Sequence, residues 1–366
     1  MNESKATRYQ RLRRRASVVE VASGAAAMSV VALTPVAGRL AIWAEGIGGG
    51  SRALAVVCFI GAVVATWWVA GLPARVFAGL HLDGRYSGAA PPVAVVAAGE
   101  LQVAVVGLSV ALLVAGTAGA AVWLAPAWWW ALSGTALGAA LAAAVRAMPM
   151  ALARFTSAAG RARPALEQRL TDLAGRAGVP VASIDVVGFQ QPGSPAAFVT
   201  GAGRTRRIFL SDELIRDWSD DEIAVVVAHE LGHHARHDLI RAVGLSAVTL
   251  TVGLWAADAV LRSAGPWLNL GGPETLGSWP LLAVVAGAVW LAATPVRHGQ
   301  SRRHERLADE FALTLTGEAE AFTSAIRRLG ARHLAEERPT ALTRWFFHRH
   351  PPVGERLALA SRFRTP

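Results

Sequence analysis

The most constraining feature of this sequence is Leu101–Val145, 45 consecutive residues without a single charge. A helix crosses the hydrocarbon of a bilayer in about 20 residues, so this run is long enough to cross twice. Pro126, followed by Trp128, Trp129 and Trp130, marks where it turns, because indole rings favour the headgroup layer. Other apolar runs follow the same logic. Val21–Gly38 lies between Glu20 and Arg39, and Ala53–Ala74 and Leu276–Val296 are uncharged. Leu239–Leu261 carries Arg241 and Asp258 near its ends. The expectation is an α-helical multi-pass membrane protein of about six spans. Composition agrees, with 53% hydrophobic residues against 17% charged, where soluble domains carry nearer a quarter.

Charge then orients the spans. Before the first lie Lys5, Arg8, Arg11, Arg13, Arg14 and Arg15, and after the second Arg75, His81 and Arg85. Arg154, Arg161 and Arg163 follow the fourth, and Arg297, Arg302 and Arg303 the sixth. The intervening loops hold little beyond Arg52 and Arg262. Basic loops alternate as the positive-inside rule requires, which puts both termini in the cytosol. It also explains the net charge of +10 without nucleic acid as a partner. Cys58, the sole cysteine, excludes an intramolecular disulfide and a thiolate metal cluster. The expected order is a basic tail (1–16), a four-span region (17–148), a first soluble segment (149–238), a two-span hairpin (239–296) and a second soluble segment (297–366). The two soluble segments share one side and form one α+β domain split by the hairpin.

That domain carries the chemistry. Val225–Arg236 reads VVVAHELGHHAR, so His229, Glu230 and His233 form an HExxH. Ser219, Asp220, Asp221 and Glu222 form a capping box, a serine cap with a carboxylate three residues on, so a helix starts near Asp220. Positions i and i+4 share a helix face, so both imidazoles reach one ion, and Glu230 meets a water beside it. A catalytic zinc takes three protein ligands and keeps one position open. The extended pattern with a third histidine is absent, since Arg236 and Leu239 stand at its glycine and histidine positions. The third ligand must come from elsewhere. Ser301–Leu313 (SRRHERLADEFAL) offers Glu305 and, four residues on and so on the same face, Asp309. Glu305 completes a His–His–Glu set, and Asp309 takes the free N–H of a ligand imidazole. His304, His237 and His234 are the alternatives, with His234 turned about 100° from His233 on its helix.

These pieces resemble the integral-membrane zinc peptidases of the type I CAAX prenyl protease and HtpX heat-shock protease family. The similarity covers about residues 180–366 well and the membrane half loosely. Gly201–Ile215 resembles the strand and turn before the active helix, Asp221–Leu239 that helix, Ser301–Asp309 the third-ligand segment and His350–Arg356 (HPPVGER) the closing element. Arg85–Ser87 resembles a cytosolic loop of the prenyl-protease branch. The resemblance implies a gluzincin-type domain with one zinc per chain, a cytosol-facing site at the membrane surface, and Glu305 and Asp309 as its ExxxD pair. It implies that His350 and Arg356 steady the transition state, and that Ala196, Ala197, Phe198, Val199 and Thr200 form a strand that pairs with substrate. Ala196-Ala197 stands where relatives often have Asn-Ala, so side-chain contacts from an asparagine are not expected here.

The function expected is therefore a zinc-dependent endopeptidase acting on membrane-associated or cytosolic-side protein and peptide substrates. Its partners are the substrate and the lipid bilayer, and nothing in the sequence sets an oligomeric state. A sensor-transducer peptidase of the β-lactam-receptor type and an inactive membrane scaffold are the rival readings. HPPVGER counts against the first, and the complete set of His229, Glu230, His233 and Glu305 against the second.

Overall fold

A computed structural model describes residues 5–87, 92–155, 157–160, 162–188, 197–201, 203–332 and 339–363. The chain forms two compact units, each built from two stretches: residues 1–139 with 246–293, and residues 140–245 with 294–366. Two of the boundaries fall inside the helices Trp129–Phe155 and Asp238–Ala264, and the third between the helices Trp279–Ala292 and Thr294–Thr316.

The first unit is helical. Helix α1 spans Lys5–Leu33, α2 Val36–Gly48, α3 Arg52–Val76 and, after a π-helical stretch Phe77–Asp83, the short α4 is Gly84–Ser87. Then come α5, Val93–Leu124, and α6, Trp129–Phe155, which runs on into the second unit. Among the described residues five helices are long and apolar enough to cross a membrane. A sixth span results if Leu276–Ala292 and Thr294–Thr316 count as one bent crossing. Side chains such as Trp123, Leu124 and Ile42 are exposed, as helices surrounded by lipid require.

Two expected span ends differ. Glu20 and Glu100 were natural stopping points, yet α1 and α5 run straight through them. Arg75 explains why: its guanidinium lies 2.8 Å from Glu100 and 3.2 Å from Glu20. Charges that satisfy one another no longer force a helix out of an apolar layer. The run Val21–Gly38 is divided at Thr34–Pro35, where proline cannot continue the hydrogen-bond ladder of α1. The turn near Pro126 does separate α5 from α6. Asp258, which weakened the fifth run, is buried and accepts from Trp129 Nε1 at 2.7 Å and Arg262 Nε at 2.7 Å.

The second unit is α+β. Helix α7, Pro164–Arg176, begins on a proline that suits a first helical turn. Strands β1 (Ser157–Gly160), β2 (Ser183–Gly188), β3 (Ala197–Thr200) and β4 (Arg207–Ser211) form one sheet in the order β1-β2-β4-β3. β4 pairs parallel with β2 and antiparallel with β3. β3 is therefore an edge strand. Helices α8 (Asp212–Asp217) and α9 (Asp220–Ala235) follow, and α10 (Asp238–Ala264) starts here and runs on into the first unit, which also holds α11 (Trp279–Ala292). Helices α12 (Thr294–Thr316), α13 (Ala319–Arg332), α14 (Ala341–Phe347) and α15 (Val353–Arg362) complete the chain. Leu166, Leu170 and Leu173 place one stripe of α7 in the core with Ile208 and Leu210 of β4 and Ile223, Val227 and Leu231 of α9. Burying one face of α9 in this way holds its other face against α12.

Candidate active site

The site is built on α9, whose start is fixed at both ends of its capping box. Glu222 N–H donates to Ser219 Oγ at 3.2 Å, and Ser219 N–H donates to the Glu222 carboxylate at 3.0 Å. Glu222 is buried and also receives Ser324 Oγ at 2.6 Å and Arg328 at 2.9 Å from α13. Burial would raise the Glu222 pKa, but these donors hold it below its ordinary value. Two turns on, Gly232 lets α12 come close. A Cβ there would meet Phe311 at 3.1 Å and the Ala308 backbone at 3.3 Å. Glycine at this point of the HELGH sequence sets how near Glu305 and Asp309 come to the histidines.

The resulting donor set is compact. His229 Nε2 and His233 Nε2 are 3.2 Å apart. Glu305 Oε2 lies 3.4 Å from the first, and Oε1 lies 3.5 Å from the second. A tetrahedral zinc with bonds of about 2.0–2.1 Å separates its ligand atoms by about 3.3 Å. The three donors therefore fit one such ion, and they are the only such group of His, Cys, Asp and Glu among the described residues. The chemistry of the donors points the same way. His229 Nδ1–H donates to Asp309 at 2.9 Å and His233 Nδ1–H to Asp238 at 3.0 Å. Both Nε2 atoms then face the same carboxylate, an arrangement that a bound cation or a proton on an imidazole relieves. Burial would lower the His229 pKa, yet hydrogen bonds to Asp309 and Glu305 push it up to about 10, which records the same demand for positive charge.

The remaining predicted residues take these positions. Glu230 lies next to His229, and burial raises its carboxyl pKa. His350 Nδ1 is 2.8 Å from Glu305 Oε2, with its ring otherwise exposed. Arg356 lies against Asp309. Its Nε donates to Asp309 Oδ2 at 2.8 Å and a terminal nitrogen to Oδ1 at 2.6 Å, so it grips the carboxylate that holds His229. His234 leaves the metal face and donates Nε2–H to the Val199 carbonyl at 2.8 Å, tying α9 to β3. His304 sits 3.7 Å from Asp238. Ala197–Thr200 form β3, while Ala196 lies outside the described residues. A cavity of about 600 Å³ opens beside the site, lined among others by Glu230, Glu305, Val199, Thr200, Ile240 and Val243.

Sequence reasoning missed Asp238. It sits at the start of α10, five residues after His233, where it reads as the end of a soluble segment. Its signal was an acid in the first turn of an otherwise apolar helix. In place, Oδ2 takes the His233 N–H while Arg236, Arg241 and His304 lie within 3.7–3.9 Å of Oδ1.

Apolar helices long enough to span a membrane, an HExxH helix and a glutamate from a second helix are together the features of the membrane metallopeptidase class. The chain belongs to peptidase family M48, which residues 161–363 match. It is 30% identical over 171 residues to the uncharacterized metalloprotease YhfN of Bacillus subtilis (strain 168), covering 45% of this chain and 40% of that protein. It is also 30% identical over 177 residues to protease HtpX of Xylella fastidiosa (strain 9a5c), covering 44% of this chain and 61% of that protein. The chain thus spans about half the length of these relatives. Its fold is similar to that in the crystal structure of S. mikatae Ste24p, with a TM-score of 0.71 at 19% identity, over 87% of this chain and 79% of that one.

Proposed function

We propose that this chain is a zinc-dependent endopeptidase of the membrane, hydrolysing membrane-associated or cytosolic-side proteins and peptides. The observation that carries this reading is the triangle of His229 Nε2, His233 Nε2 and Glu305, matched in size to one zinc and flanked by Glu230. Bound there, one zinc per chain would supply Lewis acidity at the scissile carbonyl and a lowered pKa for the attacking water.

The chain's own residues supply the rest. Asp309 and Asp238 hold the two imidazoles in one tautomer and orientation. Glu230, its pKa raised by burial, takes the proton of the attacking water and passes it to the leaving amine. His350, beside Glu305 and open to the surface, donates to the oxyanion as it develops. Arg356 acts through Asp309, as a positioning residue. β3, Ala197–Thr200, is an edge strand among the described residues, and this segment with Ala196 before it in sequence is where an extended substrate strand would pair. The basic loops favour a cytosolic site and cytosolic termini. Cleavage of an unfolded protein substrate by purified protein, compared with Glu230→Ala at matched zinc content, tests the reading. Equal cleavage by both would end it.

A further inference from the structure

We propose that α14 lies in the anionic headgroup layer of the bilayer, and that this seating sets the position of His350. Three observations carry the inference. The first is an unpartnered apolar face. Leu342 is 67% exposed, Trp345 50% and Phe347 43%. Leu342 and Trp345 are three residues apart on the helix and so share a face. Two large apolar side chains sharing a face of a short helix, one of them a tryptophan, with Phe347 exposed off that face at the helix end, are the composition of an interfacial element.

The second is charge. The stretches 294–303 and 341–350 together hold five arginines, three histidines and no acidic residue. Arg344 is satisfied by Glu355 at 2.8 Å, and Arg306 lies 3.7 Å from the same carboxylate. Arg303 and Arg349 are exposed and have no acidic partner among the described residues. Basic side chains beside an exposed apolar face complement a layer of lipid phosphates, each arginine near the surface contributing roughly five-fold in affinity.

The third is the tether. Helix α12 begins two residues after the last apolar helix ends at Ala292. Arg302, ten residues past that end, donates to the Arg344 carbonyl at 2.8 Å and the His348 carbonyl at 2.7 Å. At 1.5 Å per residue, Arg302 is at most about 15 Å of helix from the end of α11. A helix clamped there is tied to a stretch of chain that follows the last apolar helix by only ten residues. His350 follows two residues after the clamped carbonyl and reaches Glu305 at 2.8 Å. A shift of α14 would therefore move His350 against the metal-ligating carboxylate. The consequence for cleavage rests on the peptidase reading, whereas the lipid contact does not.

The experiment uses the full chain with Cys58→Ala, reconstituted in phosphatidylcholine vesicles with or without phosphatidylglycerol. A fluorophore on Leu342→Cys is quenched either by lipid carrying a nitroxide near the headgroup or by aqueous iodide, with Asp172→Cys on α7 as the comparison. Lipid quenching should exceed iodide quenching at 342, more so with phosphatidylglycerol, and the order should reverse at 172. Iodide quenching alone at 342 would overturn the proposal. So would protection from both quenchers with crosslinking between copies, which would identify a second chain as the occupant. Cleavage by Arg303→Glu/Arg349→Glu should equal the parent in neutral detergent and lose several-fold in the anionic vesicles. Equal cleavage in both would leave the lipid contact standing and remove its link to His350. If no variant cleaves at all, the quenching result still decides the seating of α14.

Discussion

Arg356 holds Asp309 through two hydrogen bonds, 2.8 and 2.6 Å long, with Asp309 buried and Arg356 half-buried. Asp309 accepts the Nδ1–H of His229 with the same oxygen that receives the shorter bond. The guanidinium thus reaches the metal site through two intermediaries. Breaking a buried pair on one side leaves an uncompensated charge and costs about 3–5 kcal/mol. Arg356→Ala should lower the melting temperature and weaken zinc binding about 10–100-fold, the range for losing an outer partner of a ligand. Arg356→Lys should recover only part, because a single ammonium cannot make both bonds at this fork. Zinc competition with a chelator and thermal melting measure the two effects. A variant with intact zinc affinity and slow chemistry would return Arg356 to the oxyanion.

Glu305 and Glu230 should separate ligand from base. Glu305→Ala removes one of three donors and should lose tightly bound zinc. Glu230→Ala should retain zinc and lose cleavage by on the order of 100-fold or more. Metal analysis and a cleavage assay on the same preparations read both. Full zinc in Glu305→Ala would send the search to another ligand.

Asp238 should behave as the counterpart of Asp309 for His233. Asp238→Asn keeps the shape and one acceptor oxygen but removes the charge, so zinc affinity should fall about 10–100-fold without loss of fold. The same chelator competition checks it, with Glu310→Gln, half-buried on α12 and outside the donor set, as the comparison.

How far these elements were legible from sequence depends on the range of the interaction. The start of α9 is a local pattern, and Ser219 and Glu222 alone suffice to place it. Glu305 and Asp309 were legible because four residues on a helix is a fixed geometry. Glu20, Arg75 and Glu100 were not, since nothing along the chain says that three charges 55 and 25 residues apart will meet. Arg356 shows a related limit. A motif can mark a residue as belonging to the site without saying which atom it touches, and here the atom belongs to Asp309.

The pH dependence of stability should carry a signature from Glu222. Its pKa in the folded protein is lowered, so its contribution is fully present above the ordinary carboxylate range and lost as pH falls through the folded value. Glu222→Gln should therefore be less stable than the parent near neutral pH, by about 1–2 kcal/mol. The difference should shrink as the parent's own Glu222 becomes protonated in acid. Denaturation of the two proteins across pH checks the sign, and a gap that widens in acid would contradict it.

Topology gives an independent test of the proposed cytosolic site. Cysteines placed at Ser301 and Asp172, in a Cys58→Ala background, should react with an impermeant reagent only from the cytosolic side. Cysteines at Ile47, in the last turn of α2, and Trp267, between α10 and α11, should react only from the other. Labelling of Ser301 and Asp172 from opposite faces would break the single-domain arrangement.

His350 separates binding from chemistry. Its Nδ1 lies 2.8 Å from Glu305 Oε2 while its ring faces the surface, so two roles are open to it. If its whole task were to hold Glu305, His350→Ala would weaken zinc binding. A donor to the oxyanion acts more strongly in the transition state than in the ground state, so its loss lowers kcat with little change in KM. Removing one such donor typically costs on the order of 100-fold or more. His350→Ala should therefore keep its zinc and its KM and lose kcat by about that factor. His348 is the control on the same turn, since its backbone carbonyl, not its ring, receives Arg302, and His348→Ala should cleave close to normally. A slow His348→Ala beside a normal His350→Ala would remove the C-terminal segment from the chemistry and leave the His229–His233–Glu305 site untouched.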